Sequence, residues 1–448
     1  MLEPVEKFRR QRTMPRLRHA AFLLLPTLLL AWLLPATAPA RPTTAAGEAR
    51  PRILLPRYRI APEEVAVIVN DRDRRSRRIA RYYVARRHIP LRNLIHVEID
   101  PRRAVLSPAA FRRLRRQILQ LTPKTVQAYV LTWVKPYRVG CMSITTALAA
   151  GFDRSWCSAR LCAATRISPY YNSPTTRPWD RYELRPTMSL AARSFRLAKA
   201  LIDRGVRSNG TWPRGTAYLV DTSDRARNVR AVDYGRIMRV FAPLLKIKHI
   251  ARDYIADRKD VLFYFTGLAR VPKLDTLEFV PGAVADHLTS AGGVLTGGKQ
   301  MSILRWLEAG ATGSYGTVVE PCNLPQKFPH PGLVMGWYLR GETLLEAYWK
   351  SVAMPGEGIF VGEPLAAPWS GYRVHRDAEG WWVETHALRP GIYRVQAAET
   401  PVGPFSDLPG RLRILPGETA FRLPEAGHAV YRIVPALPSR DAPGHSLR

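Results

Sequence analysis

The stretch from Val261 to Trp369 constrains this chain more than any other. It contains VLFYFTG, then PGAVADHLTSAGG, then QMSILRWLEAGATGSYGTVVEPC, then GETLLEAYWKSVAMPGEGIFVGEPLAAPW. The order is apolar strand, glycine-rich polar turn, amphipathic helix, small-residue strand, second helix and glycine/proline turn. That is the end of an α/β sheet, and open α/β sheets bind ligands beyond the carboxyl ends of their strands. Polar residues stand at those tips without a standard catalytic set around them.

The chain upstream extends the same alternation. Val65 to Val69 reads as a buried strand, followed by a helix carrying Ile79, Tyr82 and Tyr83. Leu94 to Ile99 is a second strand, Ser107-Pro108 opens a helix bearing Phe111, Leu114, Ile118 and Leu121, and Val126 to Trp133 is a third strand. Strands alternating with helices imply crossover connections and a mostly parallel sheet flanked by helices. The pattern breaks over 135–213, read as an insertion with three cysteines and a helix from Met188 to Arg204. Thr216 to Val220 resumes the sheet, Arg225 to Phe241 reads as helix, and the α/β domain is placed at 57–369. Alternating stretches at Gly391 to Gln396 and Ala429 to Ile433 predict a small antiparallel β domain over 370–436, followed by a flexible tail at 437–448.

The first 40 residues have the form of a secretory signal, with arginines 9, 10, 12, 16 and 18 ahead of the apolar run Ala20 to Leu34 and the small residues Ala36 to Ala40. Cleavage near Ala40 is expected, and Met14 offers an alternative start with a more compact signal. The apolar run falls short of the ~20 residues that span a bilayer. Residues 41–56 read as a linker, and the mature protein is expected in the periplasm or outside the cell. The four cysteines fit that compartment. Cys157 and Cys162 are close enough in sequence to bridge, leaving Cys141 and Cys322 as a second pair, although four cysteines allow other pairings. Their spacing matches no common metal-ligand set, and no cofactor motif is present.

A net charge of +32 invites a nucleic-acid partner, but the excess is spread along the chain without a binding motif. For an exported protein the expected partners are an envelope protein or an anionic glycan or lipid surface. Oligomeric state is not encoded in any pattern here.

Asp286, His287 and Ser290 form the densest polar cluster in an apolar neighbourhood, a carboxylate-held histidine beside a hydroxyl nucleophile. Neighbours on a strand point to opposite faces, which sets a turn-capping role for Asp286 and Ser290 and a core role for His287 against the catalytic one. Glu320-Pro321-Cys322 follows the strand Thr312 to Val319. Cys322 is a candidate nucleophile with His287 or His330 as base, and a disulfide to Cys141 is the competing use. Thr343 and Glu346 make a capping box.

The segments GCMSITTALAAGFD, GTAYLVDTSD with RNVR, and PGAVADHLTSAGG through GEPLAAPW resemble a family of exported bacterial proteins from species that carry the exosortase protein-sorting system. That resemblance brings no activity with it. More distantly, FYFTG, AVADHLTS, QMSILRWLEAG, ATGSYGT and Gly362-Glu363-Pro364 resemble, in order, the catalytic half of gingipain-type cysteine peptidases, which implies a caspase-like fold. Thr266 stands where that family has its catalytic histidine and His287 where it has its cysteine. The expectation is therefore a non-catalytic caspase-fold binding or accessory module linked to protein sorting or exopolysaccharide, with Thr266 and Glu320 as binding residues. The alternative is a divergent hydrolase rebuilt around Asp286, His287 and Cys322.

Overall fold

The computed structural model describes residues 50–158, 162–424 and 427–436. The expected signal segment with its cleavage point and alternative start, and the tail at 437–448, lie outside the described residues.

The centre is a ten-stranded sheet. Its strands, numbered along the chain, are β1 (Val65–Asn70), β2 (Leu94–Val97), β3 (Ala128–Leu131), β4 (Thr187–Ser189), β5 (Thr216–Asp221), β6 (Lys246–Ala251), β7 (Arg258–Thr266), β8 (Leu277–His287), β9 (Gly313–Thr317) and β10 (Gly358–Gly362). The spatial order is β6-β5-β7-β8-β9-β10-β4-β3-β1-β2. Every neighbouring pair is parallel except β9 and β10, so two parallel halves run in opposite directions and meet at that seam. Helices cover both faces, which explains why β1 (VAVIVN) is buried at every position instead of alternating.

The helices form where caps and apolar spacing coincide. The carboxylate of Asp73 accepts from Arg75 N at the start of α1 (Arg74–Arg87), which buries Ile79, Tyr83 and Val84. Ser107 does the same for α2 (Pro108–Leu121), burying Phe111, Leu114 and Ile118. The remaining helices are α3 (Ile144–Ala150), α4 (Pro178–Tyr182), α5 (Phe195–Ser208), α6 (Tyr234–Phe241), α7 (Leu304–Ala309), α8 (Pro331–Leu339) and α9 (Leu344–Trp349). The Thr343/Glu346 capping box opens α9. Glu363, in the turn after β10, forms a bidentate ion pair with Arg87 of α1. Gly205 of α5 makes room for it, because a Cβ there would stand 2.6 Å from the Glu363 side chain.

Several expectations are corrected. The segment 135–213 is not simply an insertion, since it supplies β4 to the middle of the sheet, and the helix expected from Met188 begins at Phe195. The glycine-rich turn expected at PGAVADH is the interior of the eleven-residue strand β8. The chain tolerates Pro281 and Gly282 there because the pairing of β7 with β8 is irregular at that level, with register shifts between Arg258 and Phe263. GIFVG, expected in a turn, is strand β10.

The C-terminal residues build a second core around Trp381, Val383, Tyr393, Val395, Phe421, Tyr431 and Ile433. Its strands, Gly391–Ala398 and Val430–Pro435 among them, are mostly antiparallel. Arg52–Leu54, expected as linker, pairs in parallel with Val430–Pro435 and buries Ile53 in this core. Among the described residues no helix is long and apolar enough to cross a membrane.

Candidate functional site

Strands β7 and β8 end side by side, with Thr266 paired to His287 and Phe265 to Asp286. Strand alternation sends Asp286 and His287 to opposite faces of the sheet. Their fates differ accordingly.

His287 is fully buried. Trp306 of α7 donates its indole N–H to His287 Nδ1 at 2.9 Å, and His287 Nε2 donates to the Met301 carbonyl at 3.1 Å. Burial pushes the imidazole down to about 3, so the ring is neutral at physiological pH. Both ring nitrogens are occupied, which leaves none to take a proton from Ser290 or from a bound substrate. Asp286, also buried, meets the Arg230 guanidinium at 2.7 Å. Arg230 also donates to the Thr266 carbonyl at 2.8 Å and the Pro329 carbonyl at 3.1 Å. Burial pushes the Asp286 carboxyl up, and Arg230 pulls against it. An ion pair tied to the tip of β7 and to the loop before α8 holds these segments together, with Asp286 on the face of the sheet opposite His287.

Of the other candidates, Cys322, Glu320 and His330 are committed through their side chains, whereas Ser290 is held through its backbone and Thr266 through burial. Cys322 is joined to Cys162, and Cys141 to Cys157, with Cα separations of 4.9 and 5.7 Å. This corrects both expected pairings, Cys157 with Cys162 and Cys141 with Cys322. It also removes the Cys322 thiolate, since a sulfur in a disulfide is not a nucleophile. Glu320 accepts the Cys322 backbone N–H at 2.8 Å and so shapes the turn that carries the disulfide. His330 caps α8, its Nδ1 accepting from Leu333 N at 3.3 Å. The Ser290 carbonyl accepts from Thr317 Oγ1 at 3.0 Å. The Thr266 side chain is buried, and its hydroxyl has no hydrogen-bond partner among the described residues. Among the described residues no group of three or more His, Cys, Asp or Glu is placed to hold a metal ion.

Beyond the tips of β7 and β8 lies a cavity of about 540 Å³. The loop after β7 contributes Arg270, the loop after β8 contributes Gly297, Gly298 and Gln300, and Arg193 and Arg305 stand on the wall beside apolar residues that include Val294 and Leu295. Gln300 holds the loop in shape, its side-chain oxygen accepting from Thr289 Oγ1 at 2.8 Å and Ala291 N at 2.6 Å. Arg193 and Arg305 share one carboxylate, Glu308, at 3.3 and 3.0 Å. Arg270 donates to the Lys299 carbonyl and has no acidic partner among the described residues. The wall therefore keeps a surplus of positive charge.

None of these arginines stands out in a sequence where arginine is abundant. The one local signal was the open GGK turn after β8. Arg230, the partner of Asp286, lies in the RNVR segment but has no pattern linking it to a residue 56 positions away.

No protein-family model and no curated protein sequence matches the chain. Among solved structures it is similar to one described as a protease, at 8% identity and a TM-score of 0.43, covering 76% of this chain and 88% of that one. It is also similar to the Arg-specific cysteine proteinase gingipain R (RgpB), at 10% identity and 0.41, covering 85% and 99%. A complex of the Porphyromonas gingivalis RgpB pro- and mature domains matches at 9% identity and 0.40, covering 81% and 94%. At these values the likeness transfers no residue role and no activity.

Proposed function

We propose that this chain is an exported, non-catalytic binding module of the cell envelope, and that it holds an acidic glycan in the arginine-lined cavity beyond β7 and β8. The observation that carries the non-catalytic reading is the engagement of the histidine, the aspartate and the cysteine among the candidate catalytic groups, which leaves Ser290 without His287 as a base. His287 has both nitrogens bonded, Asp286 is ion-paired to Arg230, and Cys322 is in a disulfide. The two disulfides suit the oxidising compartments outside the cytoplasm.

The ligand class follows from the cavity wall. Three arginines with one shared carboxylate favour a polyanion, and the planar guanidinium fork matches a uronate carboxylate or a sulfate. A role in exopolysaccharide handling or protein sorting is the cellular form of this reading.

The test is titration of the mature protein with a polyuronate oligosaccharide. Saturable binding that weakens as salt is raised, and falls at least tenfold in Arg270→Glu, is the expected result. Binding to phosphatidylglycerol vesicles with none to the oligosaccharide would overturn the glycan reading. The hydrolase reading has a separate test. A fluorophosphonate probe that labels the folded protein, with labelling lost in Ser290→Ala, would establish a nucleophile and end the non-catalytic reading.

A further inference from the structure

A second cavity, of about 650 Å³, lies between α6 and α8, and its residues are distinct from those of the arginine-lined cavity. Its walls are apolar: Ile237, Val240 and Phe241 from α6 face Leu333 and Trp337 from α8, and Tyr171 closes one side. Val240 is 59% exposed and Tyr171 36% exposed, so the apolar surface reaches solvent here.

The glycines of α8 deepen the groove. Gly332 and Gly336 are four residues apart and both line it. A glycine inside a helix costs stability relative to alanine, and a neighbouring backbone or side chain usually forbids anything larger. At Gly336 nothing does, because an added Cβ would meet only Phe241 Cζ at an ordinary 3.7 Å. Packing does not require this glycine, whereas an open floor does.

The rim carries charge. Arg236 and Arg340 are exposed there, and among the described residues neither guanidinium has a carboxylate partner. Arg340 lies over the Trp337 ring at 5.0 Å, and Trp337 is itself fixed by its indole N–H donating to Asn172 Oδ1 at 3.1 Å. The acidic group on the lining, Asp233, faces His330 at 3.8 Å.

We propose that this groove binds a single-chain anionic amphiphile, an acyl chain laid along Gly332 and Gly336 with its carboxylate between Arg236 and Arg340. A cavity of this size is within the usual range for small-ligand sites, and its apolar walls match a hydrocarbon chain. A peptide fits less well, since its backbone amides and carbonyls need hydrogen-bond partners. The charged groups Arg236 and Arg340 stand at the rim, and within the groove Asn172 Oδ1 is taken by Trp337 and His330 Nδ1 by the helix it caps. A hydrocarbon chain makes no such demand.

The experiment is calorimetric titration of the mature protein with dodecanoate below its micelle concentration, beside dodecyltrimethylammonium as a probe of opposite charge. One saturable site for dodecanoate, and binding at least tenfold weaker for the cation, is expected. Gly336→Leu fills the groove, so it should lose at least tenfold in affinity with an unchanged or higher Tm, which separates a blocked site from a misfolded protein. Arg236→Glu with Arg340→Glu should bring the two probes to similar affinity or reverse their order. Equal affinity for both probes in the wild type, undiminished binding in Gly336→Leu, or association with phosphatidylglycerol vesicles but not with free dodecanoate would each overturn the proposal.

Discussion

In the α/β part, Arg87 with Glu363, Arg230 with Asp286, Lys327 with Glu357 and Lys350 with Glu342 are sealed from solvent, whereas in the C-terminal β part Arg394 with Asp407 and Arg422 with Glu379 stand in water. The difference teaches what each part uses charge for. A buried pair gains Coulomb energy but gives up hydration, so its net contribution to stability is small while loss of one partner is costly. What such pairs do in this fold is tie one element to another. Arg87 joins α1 to the turn after β10, Arg230 joins the segment before α6 to the tip of β8, and Lys350 joins the two ends of α9 through Glu342. Arg389, from the C-terminal part, reaches the same Glu342 at 3.2 Å and couples the two regions. Apart from that link, the β part relies on an apolar core, with its ion pairs on the surface.

The comparison breaks most visibly at Lys327, whose ammonium lies 2.7 Å from Glu357 with both side chains buried. Lys327→Met leaves a buried carboxylate without its counter-charge and should cost ~3–5 kcal/mol, read from denaturant unfolding. Adding Glu357→Leu should recover most of that loss. A single variant as stable as the wild type would show that the pair is not sealed.

The next largest effect is covalent. Cys322→Ser opens the disulfide that ties Cys162 to the loop after β9, and should cost ~2–4 kcal/mol. Peptide mapping without reduction checks the pairing directly, and a Cys157–Cys162 peptide would refute it.

A third prediction concerns pH. The folded state holds His287 neutral down to about pH 3, whereas the unfolded chain takes up a proton near 6.5. Between those values the unfolded state binds more protons, so this residue makes stability fall as pH is lowered from 6.5 toward 3, with a slope of up to about 1.4 kcal/mol per pH unit. His287→Gln, which keeps a donor and an acceptor without titrating, should flatten that slope. Unfolding curves measured at pH 4, 5.5 and 7 give the comparison.

The smallest effect belongs to the surface. Arg394→Ala removes an exposed partner of Asp407 and should change stability by no more than ~1 kcal/mol. A larger loss would erase the distinction between the two parts.

Much of this fold was legible in advance. The strands at 65–70, 94–97, 128–131 and 216–221 are short apolar runs bounded by polar turns, and α1 and α2 combine an N-cap with apolar residues at helical spacing. Four strands were not legible, for separate reasons, β8 among them because Pro281 and Gly282 give its middle the look of a turn. β4 is only three residues long, β6 (KIKHIA) is an exposed edge strand whose lysines mask it, and β10 (GIFVG) carries glycines because β9 packs closely against it. At Gly358, for instance, a Cβ would stand 1.7 Å from the Tyr315 hydroxyl. The candidate site was legible as residues but not as an arrangement. Asp286 and His287 were marked by their polarity in an apolar run, but Arg230 and Trp306, which determine what each can do, lie elsewhere in the chain.

The sequence by itself determined the alternation of strands and helices, the caps, and the separate β part at the C-terminus, because hydrophobic period and capping chemistry act over a few residues. Only the tertiary structure decided the reversal of strand direction between β9 and β10, the pairing of the cysteines, and the partners that engage His287 and Asp286. Each of those depends on which distant segments meet. A local pattern carries no record of that, since cysteines, arginines and tryptophans read the same in sequence whether or not a partner stands opposite them.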